Sequence, residues 1–134
     1  MRSNLRLCSL VMGVLLIATV AAAHHPNSGL FDESKEFTLH GIVRSIAYVE
    51  PHVILQLEAV AGGATYFVVL PSPFSLETNG LPKGTLRVGM ALSVVASPGV
   101  NDPGVLLPEH LEFGGVVYQL NFETTPGGAT VHSR

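Results

Sequence analysis

Histidine is the one reactive side-chain type that gathers in this 134-residue chain, at His24, His25, His40, His52, His110 and His132. His24 and His25 directly follow the small residues Val20-Ala21-Ala22-Ala23. A cut within that run frees an α-amine beside imidazoles, and both are metal ligands. If the cut follows Ala22, the new terminus is Ala23-His24-His25. Its amine, two backbone amides and the third-position imidazole can wrap Cu²⁺ or Ni²⁺ in the square plane those ions favour. If the cut follows Ala23, the start is His24-His25-Pro26, and Pro26 has no amide proton to give up. His24 then binds through amine and ring together, and another histidine from the fold must complete a T-shaped brace. His52, next to the turn residue Pro51, is the candidate for that ligand, which makes His24, His25 and His52 the expected metal set and Cu²⁺ the expected ion.

Other chemistries lack their residues. Ser28, Ser34, Ser72 and Ser75 lie in loop-like stretches without a nucleophile-elbow pattern. Asp32, Glu33 and Glu36 read as a solvated acidic run, and no glycine-rich phosphate cradle precedes a helix. His40 and His110 fall on outward strand positions near Arg44 and Glu112, where a solvated imidazole is the ordinary outcome. His132 lies in a polar, glycine-rich tail. No catalytic set is expected.

The segment before the histidine pair accounts for their exposure. Arg2 and Arg6 precede the apolar run Leu7 to Val20, and small residues follow: the pattern of a secretory leader over residues 1–23, too short and too poorly flanked for a stable anchor. The expected home is the periplasm or the outside of the cell, with no membrane span after cleavage. The sole cysteine, Cys8, leaves with the leader, so the remaining chain can form neither a disulfide nor a thiolate metal site. Seven Lys and Arg face ten Asp and Glu. Two of the seven are in the leader, leaving a mature charge of about −5, which argues against nucleic acid as a partner.

The elements that must hold the histidines read as strands. Residues 24–122 read as a single domain that Pro, Gly and Asn divide into short β-rich segments, opening with an extended stretch over 24–36 and followed by a flexible tail over 123–134. Alternation predicts strands at Phe37 to Tyr48, His52 to Val60, Ala64 to Leu70, Met90 to Ser97, Val105 to Phe113 and Val116 to Asn121. Pro108 marks an edge or bulge in the fifth. The stretch 71–86 breaks the pattern, and its Phe74, Leu76, Leu81 and Leu86 suit a helical turn or compact loop. A first hairpin centred near Glu50 would set Val43 opposite Leu57, Arg44 opposite Gln56, Ile46 opposite Ile54 and Tyr48 opposite His52. Val43, Leu55, Leu57, Val68 and Val94 would then point inward. The apolar pair Ile46 and Ile54 would need a cover, and Leu30-Phe31 is the nearest free apolar material. Laid there, it would bring the histidine pair within reach of His52.

Three strands, a short helical or irregular connector and further strands make an all-β order. It matches a small antiparallel barrel of the oligonucleotide/oligosaccharide-binding (OB-fold-like) type, with an open sandwich as the alternative.

The residues also resemble a family of small secreted bacterial proteins, domain-of-unknown-function family 6152. The matching positions are His24-His25, Phe31-Asp32, Thr38-Leu39-His40-Gly41-Ile42-Val43, Pro51-His52, Ser72-Pro73 with Leu76, and Leu86 with Gly89. Glu50 stands where the family has asparagine before Pro-His, Met90 where it has an acidic residue, and no tryptophan precedes the Pro-His turn. The resemblance implies a secreted barrel-like domain and brings no activity with it.

Two functional readings follow. In one, the protein binds a transition metal, copper, at its histidine-bearing mature terminus. In the other, it is a non-catalytic module that docks a protein or small ligand, and the histidines are incidental.

Overall fold

A computed structural model describes residues 29–122. Six strands form one sheet: β1 (Phe37–Ala47), β2 (Ile54–Ala59), β3 (Thr65–Val69), β4 (Ala91–Pro98), β5 (Val105–Phe113) and β6 (Val116–Gln119). A helix, α1 (Pro73–Thr78), lies between β3 and β4, and a 3₁₀ turn (Glu33–Lys35) precedes β1. The strand order is β3-β2-β1-β4-β5-β6, and an added β3–β5 pairing closes the first five strands into a barrel. The closing seam is parallel and brief, Phe67 beside Val105 and Val68 beside Leu106, so the barrel is mixed where an antiparallel one was expected. β3 and β5 run the same way because the connector through α1 and β4 reverses the chain an even number of times between them.

Alternation fills the barrel. Val43, Leu55, Leu57, Val68 and Val94 are fully buried, as their two-residue period requires. Leu76, Leu81 and Leu86 of the connector are buried with them, whereas Phe74 stands exposed, contrary to the expected anchoring role. α1 starts where Ser72 accepts a hydrogen bond from the Ser75 amide and Pro73 opens the first turn, two features that favour a helix N-terminus.

The first hairpin departs from the expected register above Val43. Gly41, Ile42 and Val43 pair with Ala59, Glu58 and Leu57, but a bulge at Arg44 moves the pairing on by one. Ser45 then meets Gln56, Ile46 meets Leu55 and Ala47 meets Ile54. The extra residue lets Arg44 swing out to Glu58, with Nε and Nη2 donating to the two carboxylate oxygens at 2.9 and 3.1 Å. It also turns Ile46 to pack against the core and leaves Ala47 exposed. No Ile46–Ile54 pair remains to be covered.

The N-terminal segment accordingly lies elsewhere. Phe31 bridges Gly99, the Val100 amide donates to the Leu30 carbonyl at 2.9 Å, and the Asp32 amide donates to the Pro98 carbonyl at 2.9 Å. Leu30 and Phe31 thus extend the edge of β4 past the start of β1, and the expected cover over the hairpin is not what forms.

Candidate functional site

The pairing of β1, β4 and β5 places three outward polar side chains in one row. His40 lies between the inward positions Leu39 and Gly41, Ser93 between Leu92 and Val94, and Glu112 next to Leu111. His40 pairs with Ser93, and Ser93 with Glu112, so consecutive members of the row sit on adjacent strands, with about 5 Å between strands. His40 Nδ1 and Ser93 Oγ are 2.7 Å apart. One tautomer has Nδ1–H donating to Ser93, which leaves Nε2 an acceptor. The other has the serine hydroxyl donating to Nδ1, which leaves Nε2–H a donor.

The row lies in an open groove of about 290 Å³, whose other lining includes Val60, Leu92, Phe113 and the Gly114-Gly115 turn. The hairpin of β5 and β6 builds one wall. Phe113 pairs with Val116 across a two-residue turn, and Gly114 and Gly115 both have positive φ (58° and 75°), the conformation that tight hairpin turns demand and glycine supplies. Phe113 stacks on Tyr118 at 4.6 Å and 14°, which stiffens that wall. Val60 is 67 % exposed on the facing side.

A second polar cluster gathers at the base of β1. A bulge in β5 leaves Glu109 unpaired between His110, which faces Val95, and Pro108, which faces Ala96. Pro108 thus flanks a bulge, as its sequence suggested. Ala96 also pairs with Phe37, and this brings Glu36 up to Glu109. Packing around the Glu36 carboxyl, then its hydrogen bond with Glu109 and the charge of that neighbour, push its pKa up against the opposing pull of His110. His110 is half-exposed, as its outward position suggested, but its Nδ1 is enclosed without a hydrogen-bond partner among the described residues. Among the described residues no group of three or more His, Cys, Asp or Glu could hold a metal ion.

Of the expected metal set, His24 and His25 lie outside the described residues. His52 is exposed after the cis Glu50–Pro51 bond and just before β2, with its ring tilted against Phe122 at 6.4 Å. It stands past the far end of β1 from Leu30-Phe31. The cover of Leu30-Phe31 over Ile46 and Ile54, from which the reach to His52 was argued, does not form. The groove was not legible as a unit: His40 and Ser93 are 53 positions apart, and only their outward parity pointed to it.

A family model described as "Family of unknown function (DUF6152)" matches residues 12–105. No curated protein matches the chain. A solved structure, "Crystal structure of the ZRD-deleted mutant of TiaS in complex with agmatine", is similar with 16% identity and a TM-score of 0.49. The similarity covers 66% of this chain and only 27% of that one.

Proposed function

The chain belongs to the family of unknown function DUF6152, and from its geometry we propose that it is an exported, non-catalytic binding module that takes a small ligand in the groove across β1, β4 and β5. The observation that carries this reading is the row His40, Ser93, Glu112 set beside the exposed apolar surface of Val60 in one groove. A few placed polar groups beside apolar walls are the usual make-up of a ligand site. Catalysis has less support. The His40 ring is held by serine rather than by a carboxylate, and Glu112 lies on the far side of that serine from His40. The leader expected over residues 1–23 supports a place in the periplasm or outside the cell.

The test is chemical-shift mapping on the processed protein with a panel of small cations, anions and alcohols. The reading expects shifts to cluster at His40, Ser93, Glu112 and the Gly114-Gly115 turn, and a blocking Ser93→Tyr substitution to abolish them. Shifts clustering elsewhere, or persisting in the blocked variant, overturn it.

A second reading keeps copper, in its terminal form only. The third-position histidine of Ala23-His24-His25 supports a square-planar Cu²⁺ chelate that needs nothing from the barrel. The anchoring of Leu30 and Phe31 on β4 favours this form over the brace with His52.

A further inference from the structure

We propose that the ligand of the β1–β4–β5 groove is a primary ammonium ion on a short aliphatic body, an inference that rests on the groove being a binding site. Among the described residues Glu112 is the one charged side chain lining the groove. The ion pairs found there lie elsewhere, Lys35 with Asp32 and Arg44 with Glu58. A ligand covering Glu112 must therefore answer its charge, because a carboxylate taken from water without a partner is costly. An anion would meet repulsion from Glu112, and from the excess of acidic residues over the chain as a whole.

The neighbours of Glu112 suit the same ligand. An ammonium group has three N–H donors and no acceptor, so it needs acceptors around it. Ser93 Oγ supplies one. His40 supplies another when its Nδ1–H donates to Ser93 and Nε2 keeps its lone pair. Cation binding thus selects one of the two tautomers the row allows. The exposed Val60 offers surface to a short alkyl chain and nothing to a second charge.

The experiment is an amide-shift titration of the processed protein with n-pentylammonium, pentanoate and 1-pentanol. The same series is run on Glu112→Gln and on Glu77→Gln, a control on the exposed side of α1. The proposal expects n-pentylammonium to shift the groove amides and to bind more tightly than either other probe. It also expects Glu112→Gln to weaken that binding by about three- to fivefold, the scale of an exposed ion pair, and Glu77→Gln to leave it unchanged. If pentanoate or 1-pentanol binds in the groove as well as the ammonium does, or if Glu112→Gln has no effect, the ammonium assignment falls while the groove survives as a site. If none of the probes moves the groove amides, both fall.

Discussion

Gly41 on β1 lies so close to Leu57 on β2 that a β-carbon added to the glycine would stand 3.3 Å from the Leu57 β-carbon and 3.2 Å from the Glu58 carbonyl oxygen. Gly41 occupies an inward position between Leu39 and Val43, where β1 curves across the barrel. Its conservative replacement, Gly41→Ala, should therefore cost about 1 to 3 kcal/mol, the usual cost of overfilling a packed interior. Urea unfolding measures it. A change under about 0.5 kcal/mol would show that β2 yields freely at this point.

Leu55 tests the core from the other direction. It is fully buried and pairs with Ile46 on one side and Val68 on the other. Leu55→Ala should cost roughly 2 to 5 kcal/mol, because the surrounding barrel wall cannot collapse to fill the space. Equilibrium unfolding with an unchanged denaturant slope would assign that loss to the native state.

The Glu36–Glu109 pair gives a pH dependence with a defined sign. The Glu36 pKa is raised above its ordinary 4.5 in the folded protein. Between 4.5 and the raised value the folded chain holds more protons than the unfolded chain, so this group's contribution makes stability fall as pH rises through that window. Glu109→Gln removes the partner charge. It should flatten this part of the stability profile and raise stability at neutral pH relative to the native protein. Thermal unfolding followed from pH 4 to pH 8 reads both effects, and a Glu109→Gln profile parallel to the native one would count against the pairing.

Copper binding by the terminal chelate depends on the amine. Acetylation of the mature amine should abolish it, and His25→Ala should weaken it strongly for the start at Ala23. His52→Ala should leave it intact, because the planar chelate makes no use of the barrel. Calorimetric titration of the processed protein with Cu²⁺ checks all three. Imidazole ligates in its neutral form, so uptake should decline as pH drops through about 6.5. Tight binding to the acetylated chain would remove the terminus from consideration and leave the groove reading alone.

The residues that were legible in the sequence are those governed by local periodicity. Val43, Leu55, Leu57, Val68 and Val94 alternate with polar neighbours, and each is fully buried. The fifth strand begins and ends where Val105 and Phe113 suggested. Arg44 was misread because a bulge is a single inserted residue, and the alternation on either side of it looks regular when each half is read alone. That one residue displaced Ile46 from Ile54 and with it the argument for laying Leu30 and Phe31 on the hairpin. The groove was hidden for a different reason. His40, Ser93 and Glu112 meet only through pairings between distant strands, and parity assigns each to an outer face without saying which faces adjoin. His24 and His25, legible as a motif, lie outside the described residues.

The docking of Phe31 on Gly99 also sets how the barrel carries mechanical load. The chain enters beside the end of β4, held by two backbone hydrogen bonds. It leaves at Phe122, whose ring rests on His52 at the tip of the first hairpin. Tension applied between residues 29 and 122 falls first on these two outer attachments, each far weaker than the five-strand closure behind it. They should release as an early, low-force step, and the barrel should then yield in a separate, larger event.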